Sequence, residues 1–250
     1  MRRLYILLAA IGIIGGLALF LYYGKEPKAA APEKEQRIKA SERIFKPANG
    51  KAPKKLIIVM HGYGANAENM WPVGYEISKA LPEVEVRVPD GFDPCDGNVG
   101  GRQWFKMGNW TLPEWCAQLT QTKARFDAYL SSILAELHFS EKDVALVGFS
   151  QGAMMALYFG VQCGVQAVVG FSGVFVDPDV LNNTPFQPHI LLVHGDADNV
   201  IPPKAFFQAQ EILRAHHVPF EAFMRPHLGH SIDTEGLQHA CDFLKEHLIP

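Results

Sequence analysis

The stretch of residues 144–159 has the sequence VALVGFSQGAMMALYF and combines three local patterns. Four apolar residues typical of a buried strand precede Gly148-Phe149-Ser150-Gln151-Gly152, and a strongly helix-forming segment follows. This order predicts a strand, a sharp turn and a helix, with Ser150 at the apex. A G-x-S-x-G turn in this setting strains the serine backbone and exposes its hydroxyl beyond the strand. An ordinary turn serine is the alternative, but the flanking elements favour a nucleophile at Ser150.

Candidate partners for this serine lie at two later points in the chain. A serine nucleophile needs a base, and the base needs a group that orients it. Strand-like runs at residues 190–193 and 220–224 are followed by four candidates: Asp196, Asp198, His227 and His230. Because catalytic groups in open α/β sheets gather beyond the carboxyl ends of the strands, we expect the partners along the same sheet edge as Ser150.

Five segments together resemble the phospholipase/carboxylesterase branch of the α/β-hydrolases, which includes acyl-protein thioesterases. They are HGYG at 61–64, GRQWF at 101–105, GFSQG at 148–152, HGDADNVIP at 194–202 and GHSI at 229–232. The segments occur in family order from about Leu56 onwards, and the first fifty or so residues have no counterpart. The resemblance implies an α/β-hydrolase fold over residues 37–250, with a mostly parallel central sheet and helices on both faces.

The resemblance also selects among the candidate partners. The family pattern H-G-x-x-D places the acid at Asp198, so Asp196 is expected to form a turn through its own backbone. The pattern G-H-S places the base at His230, so His227 is expected to be a loop residue. Three histidines are more distant: His216 and His217 lie at a predicted helix end and are expected to be solvated, and His239 lies within the final helical pattern.

An oxyanion hole is implied by the same comparison. The residue after the nucleophile, Gln151, donates one backbone N–H, and the loop after an early strand donates the other. Residues 56–60 form the predicted early strand, and Tyr63 is the expected donor in the HGYG loop, where the family more often has leucine. Each such donor stabilises the developing alkoxide by roughly 3 kcal/mol. His61 is expected to be structural.

The function that the resemblance implies is hydrolysis of a carboxylic ester or thioester through an acyl-enzyme. Carboxylesterase, lysophospholipase and acyl-thioesterase activities all fit, with a small-molecule or lipid ester as substrate and no metal or organic cofactor. The alternative is a catalytically silent hydrolase fold that serves as a binding module at a membrane. The intact set of Ser150, Asp198 and His230 argues against this alternative.

Composition is compatible with one enzyme domain. Hydrophobic residues make up 48% of the chain and charged residues 20%, as in a globular protein with an added apolar segment. The net charge of −3 and the pI near 6.4 give no electrostatic case for nucleic-acid binding.

The N-terminus predicts a membrane anchor. Arg2 and Arg3 precede an uncharged, largely apolar run at residues 4–23, which as a helix spans about 30 Å, the thickness of the hydrocarbon layer. A cleaved signal has a shorter apolar region, although Ala29-Ala30-Ala31 resembles a cleavage site. We therefore expect an uncleaved anchor at 1–23 and a flexible tether at 24–36. The catalytic domain is expected on the non-cytoplasmic side, and secretion to the periplasm after cleavage is the alternative.

The remaining pattern alternates strands and helices. A first edge strand is expected within residues 37–47, helices at 67–81 and 113–137, and a strand at 84–88. The long loop between that strand and the second helix contains Trp104 and Phe105. Loops of this length inside a domain are usually functional. The two side chains are expected to line an acyl-binding wall, to pack the loop down, or to do both.

Four cysteines are present, without C-x-x-C spacing, so a zinc site is not expected. Cys95 and Cys116 bracket the long loop and are candidates for a disulfide if the domain lies outside the cytoplasm, and the sequence leaves this pairing open. Cys163 and Cys241 lie in helical patterns and are expected to be buried thiols.

Overall fold

The computed structural model describes residues 41–96, 98–109, 111–184 and 186–249. The predicted membrane anchor at 1–23 and the predicted tether at 24–36 lie outside the described residues. Of the helices within these ranges, none combines the length and the apolar character needed to cross a bilayer.

Strands and helices alternate through most of the described chain, as predicted. The strands are β1 (Glu42–Phe45), β2 (Lys55–Met60), β3 (Val84–Pro89), β4 (Asp93–Pro94), β5 (Arg102–Gln103), β6 (Val144–Phe149), β7 (Ala167–Phe171), β8 (His189–Gly195) and β9 (Phe220–Arg225). The α-helices are α1 (Ala67–Ala80), α2 (Leu112–Leu137), α3 (Gln151–Cys163), α4 (Lys204–Ala215) and α5 (Thr234–Leu248).

Seven of these strands form one sheet in the order β1-β3-β2-β6-β7-β8-β9. All neighbours in it are parallel except β1, which pairs antiparallel with β3 at the edge. The predicted first edge strand is thus confirmed over Glu42–Phe45. The mostly parallel sheet and its helices confirm the expected α/β-hydrolase fold.

Helices cover both faces of the sheet, and β2 shows how its side chains divide between them. Ile57 and Val59 belong to the core beneath α1 and α5, whereas Leu56, Ile58 and Met60 belong to the core shared with α2, α3 and α4. Successive side chains of a strand point to opposite faces. Because both faces are buried, the strand is a continuous apolar run without alternation.

Helix α3 is the most deeply buried helix, and this explains its apolar sequence. Every residue from Gln151 to Val161 is buried. On the side away from the sheet, Phe159 stacks on Phe126 of α2 with ring centroids 4.5 Å apart. The helix ends at Gly164, whose left-handed φ of 69° favours glycine.

Two elements were not predicted. The long loop contains the short hairpin of β4 and β5, whose two-residue strands carry no detectable alternation. Strand β7 follows α3 with only a brief turn between them, and both segments are apolar. Periodicity alone does not separate a buried strand from a buried helix in such a run.

The candidate disulfide between Cys95 and Cys116 is not formed, because all four cysteines are free. The Cys116 thiol hydrogen-bonds Asp177 at 3.3 Å, and the Cys95 thiol makes a long contact of 3.8 Å to the carbonyl of Asp96. Burial, followed by the carboxylate of Asp177, raises the pKa of Cys116 to about 11. The hairpin is therefore held by hydrogen bonds and packing.

The turn glycines provide a test of the fold. A Cβ at Gly152 would overlap the carbonyl oxygen of Met60, a backbone atom that cannot rotate away. Helix propensity favours alanine over glycine by about 1 kcal/mol, but overpacking costs about 1–3 kcal/mol. Because the overlapped atom belongs to rigid backbone, the cost at this site is at the upper end of that range. We expect Gly152→Ala to lose about 2 kcal/mol of unfolding free energy in urea denaturation.

Gly229→Ala is the matched control, since the nearest atom to its added Cβ lies 4.0 Å away. Its unfolding free energy should stay within about 0.5 kcal/mol of the parent. Equal stability of the two variants would contradict the close approach of β2 and α3.

Candidate active site

The carboxyl edge of the sheet brings the predicted site residues together. Ser150 follows β6, Asp198 follows β8, and His230 follows β9. The HGYG loop at 61–64 follows β2, which neighbours β6. Residues that are up to 169 positions apart in sequence, from 61 to 230, therefore share one edge, as expected for an open parallel sheet.

Ser150 has the strained backbone of the predicted turn, with φ 54° and ψ −115°. Its N–H donates to the carbonyl of Phe171 at 2.9 Å, and its carbonyl accepts from Ala153 and Met154 at the start of α3. A Cβ at Gly148 would overlap the backbone of Gly152, so the turn closes only with glycine at that position. Strain of this kind persists only where the surroundings enforce it.

His230 and Asp198 are joined by a hydrogen bond. Nδ1 of His230 donates to Oδ2 of Asp198 at 2.8 Å, so the neutral ring presents Nε2 as an acceptor. The His230 ring also packs on Phe149, the neighbour of Ser150, with centroids 4.7 Å apart. The imidazole thus lies between the strand that ends at Ser150 and the loop that carries the acid.

The Asp198 carboxylate is buried and held from several sides. Its Oδ1 accepts from the N–H groups of Val200 and Ile201, each at 2.9 Å. Burial by itself would raise the pKa of Asp198, but the hydrogen bonds from His230, Ile201 and Val200 outweigh it and lower the pKa. The group is therefore ionised at neutral pH, as a carboxylate that orients a histidine must be.

The other aspartate and histidine candidates have structural contacts. Oδ1 of Asp196 accepts from the backbone N–H of His227 at 2.6 Å, and both residues are exposed. The two therefore fasten neighbouring loops to each other. His239 pairs instead with Glu221 on an exposed surface, at 3.2 Å.

The HGYG loop lies directly against the serine turn. A Cβ at Gly62 would lie 3.3 Å from Cβ of Ser150. His61 is completely buried and uses both ring nitrogens on the backbone: Nδ1 donates to the carbonyl of Gly62, and Nε2 accepts from Gly91 N–H, both at 2.7 Å. Burial lowers the pKa of His61, so the ring is a neutral brace for the loop.

Tyr63, the expected oxyanion donor of this loop, has a half-buried side chain. A hydrogen bond with the Cys95 thiol, followed by burial, raises the pKa of its phenol to about 12. Next to it, Gly64 N–H donates to the carbonyl of Arg102 at 2.9 Å. The hairpin of β4 and β5 therefore supports the loop through both side chain and backbone.

Trp104 and Phe105 are buried, with exposures of 1% and 2%. Oε1 of Gln151 accepts from Trp104 N–H at 2.9 Å, and Nε2 of Gln151 donates to the carbonyl of Phe105 at 2.8 Å. The Trp104 indole donates to the carbonyl of His61 at 2.9 Å. These contacts pack the long loop against both segments expected to form the oxyanion hole. An acyl-binding role for the two rings stays a prediction.

Two residues of this edge were not singled out from the sequence. His194 is buried and donates through Nε2 to the carbonyl of Ile201 at 2.8 Å, which shapes the Asp198 loop. Ser172 follows β7, between the strands of Ser150 and Asp198. The sequence signal for it is the second Gly-Phe-Ser, at 170–172, which repeats the first half of the nucleophile motif. Within the described ranges, no three His, Cys, Asp or Glu side chains converge to hold a metal ion.

Comparison with known proteins identifies the family of the chain. The Phospholipase/Carboxylesterase family matches residues 41–248. Esterase YpfH of Escherichia coli K12 is 29% identical over 204 residues, which cover 78% of this chain and 84% of that protein. Acyl-protein thioesterase 1 of Neurospora crassa is 29% identical over 119 residues, 42% of this chain and 46% of that protein.

A solved structure, that of esterase PE8, superposes with a TM-score of 0.78 at 30% identity, covering 84% of this chain and 100% of that one. The chain therefore belongs to the phospholipase/carboxylesterase family of α/β-hydrolases. It is a carboxylic ester hydrolase of the carboxylesterase and acyl-thioesterase type.

Proposed function

We propose that the hydrolase uses Ser150 as nucleophile, His230 as general base and acid, and Asp198 as the group that orients and stabilises the histidine. The observation that carries the proposal is the 2.8 Å hydrogen bond between His230 and the buried Asp198, with the imidazole packed on Phe149 beside the strained Ser150. Structural ion pairs also bury carboxylates, but they do not require a serine held at φ 54° next to them.

In the first half of the reaction, Ser150 Oγ attacks the carbonyl carbon of the ester or thioester. His230 Nε2 takes the hydroxyl proton, and Asp198 stabilises the resulting imidazolium through Nδ1–H. The backbone N–H groups of Gln151 and Tyr63 are the proposed donors to the oxyanion. The N–H of Gln151 is suited to this role because Gln151 is the first residue of α3, where N–H groups have no acceptor within the helix.

Collapse of the tetrahedral intermediate breaks the bond to the alcohol or thiol, which receives the proton from His230. Water then attacks the acyl-enzyme, again with His230 as base, and releases the acid and free Ser150. Every proton in this cycle moves through His230, so the chemistry needs no group beyond the described residues.

The proposed substrates are carboxylic esters and acyl thioesters. This range follows from the family and from the names of two relatives, an esterase and an acyl-protein thioesterase. Both rings are buried. Trp104 and Phe105 would therefore contribute to the proposed acyl-binding wall mainly through the position of their backbone. Turnover of nitrophenyl esters of increasing chain length would define the acyl preference.

We also propose that the enzyme is tethered to a membrane, with the catalytic domain on the non-cytoplasmic side. The support is the apolar run at 4–23, which follows Arg2 and Arg3, and the Lys-, Glu-, Ala- and Pro-rich segment at 24–36. The family match begins at residue 41, after both segments.

Removal of the serine hydroxyl tests the nucleophile. Ser150→Ala should lower kcat by about six orders of magnitude, the scale of loss in another serine triad, and should abolish labelling by a fluorophosphonate probe. Ser132→Ala is the control, since among the described residues its exposed hydroxyl bonds only the carbonyl of Tyr129, and it should label normally. Near-normal activity of purified Ser150→Ala would refute the mechanism.

Paired substitutions test the acid. Asp198→Asn should lower kcat by about 10⁴-fold, because an amide no longer holds the imidazole in its reactive tautomer. Asp196→Asn removes a charge from the same exposed loop but should change kcat less than tenfold, since Asp196 bonds only a backbone N–H of His227 among the contacts seen. A reversed order of effects would show that the acid is Asp196.

Truncation and extraction test the tether. Deletion of residues 1–36 should give a soluble enzyme with unchanged kcat, because every proposed catalytic group lies after residue 60. The full chain should remain with membranes during alkaline carbonate washing, as a spanning helix does. Release by carbonate would contradict the anchor, and a mature N-terminus near Ala31 would show a cleaved signal instead.

A further inference from the structure

The active-site edge contains two Gly-Phe-Ser segments side by side. Gly148-Phe149-Ser150 ends β6, and Gly170-Phe171-Ser172 ends β7. The strands pair in register, with Gly148 opposite Gly170 and Phe149 opposite Phe171. Both serines have left-handed backbones, with φ of 54° and 49°. Strain at the active-site edge is thus shared by a second serine, which the proposed mechanism does not use.

Ser172 also carries an unpaired hydroxyl. The residue is 1% exposed, and within the described part of the chain its Oγ is the one buried side-chain nitrogen or oxygen without a hydrogen-bond partner. An unpaired buried hydroxyl and a left-handed non-glycine residue each cost free energy. Two such costs at one residue beside a catalytic site indicate a functional constraint.

The neighbourhood of Ser172 contains an acceptor with spare capacity. A carboxylate has about four lone-pair sites, and Asp198 accepts full hydrogen bonds from Val200, Ile201 and His230. His194 Nε2 also lies 3.4 Å from Oδ2 of Asp198. Burial lowers the pKa of His194, so the ring is neutral and its Nε2–H already points to the carbonyl of Ile201. Oδ2 therefore lacks a second full donor.

Strand register places Ser172 beside a residue that contacts this acceptor. Its N–H donates to the carbonyl of Val193 at 2.9 Å, which sets Ser172 beside His194, the residue in contact with Asp198. On the other side, Phe171 accepts from Ser150 N–H. Rotation about χ1 moves a serine hydroxyl between staggered positions without backbone movement, so its donor direction can change inside a closed core.

We propose that Ser172 is a positioning residue whose hydroxyl donates the fourth hydrogen bond to the Asp198 carboxylate during turnover. This bond holds the carboxylate in place while His230 gains and loses its proton. The inference rests on the proposed roles of Asp198 and His230. Ser172 does not touch the substrate, because its hydroxyl is enclosed.

The test compares Ser172→Ala with Ser172→Gly and with the exposed control Ser132→Ala, all in the full-length protein. We expect Ser172→Ala to lower kcat about 10- to 100-fold with KM unchanged, the effect of one hydrogen bond to a charged group. The unfolding temperature should be equal to or above that of the parent, since an unpaired buried group is removed. Ser172→Gly should be as slow as the alanine variant and more stable, because glycine accepts φ 49° freely.

A spectroscopic signal separates positioning from a structural role. The downfield proton resonance of His230 Nδ1–H reports its hydrogen bond to Asp198, so it should shift in Ser172→Ala and stay in place in Ser132→Ala. Unchanged kcat and an unchanged resonance in Ser172→Ala would overturn the proposal. A lower unfolding temperature with an unchanged resonance would also overturn it, because the hydroxyl would then be a structural group.

Failure of the proposed Ser172 role can be distinguished from failure of the catalytic assignment. If Ser150→Ala is inactive and Ser172→Ala is normal, only the role of Ser172 is refuted. If Ser150→Ala remains active, the nucleophile is wrong, while the His230 resonance still reports whether Ser172 contacts Asp198.

Discussion

The close approach of the serine turn to the end of β2 is the constraint on which the rest of the site depends. Gly152 lies so near the carbonyls of Met60 and His61 that no side chain fits between them. This contact sets the distance between the nucleophile turn and the HGYG loop. The proposed oxyanion donors, Gln151 and Tyr63, belong to the two segments that this contact joins, and such donors must be preorganised to be effective.

Around this contact, the long loop acts as a brace. The side chain of Gln151 bonds the backbone of both Trp104 and Phe105, and the indole of Trp104 bonds the carbonyl of His61. The aromatic rings are thereby buried, and the two halves of the proposed oxyanion hole are joined through one side chain. The packing of these large apolar residues therefore fixes the positions of the polar groups around the site.

Burial and hydrogen bonding also set the charges around Ser150. Asp198 is buried beyond the reach of bulk water, yet its hydrogen bonds hold its pKa low. His61 and His194 are kept neutral by burial, so neither competes with His230 for a proton. One charged group thus faces His230, and the proposed role of Ser172 adds a donor to that charge.

The sequence by itself determined the nucleophile turn, the alternation of strands and helices, and the order in which serine, acid and histidine candidates occur, because these depend on contacts between near neighbours in the chain. It did not reveal the β4–β5 hairpin or the position of Ser172, and it left open the pairing of Cys95 with Cys116 and the burial of Trp104 and Phe105. Those features depend on which strands lie side by side and which atoms fill the space between them. A chain of parallel strands joined by helices specifies such lateral contacts only when the whole sheet has formed.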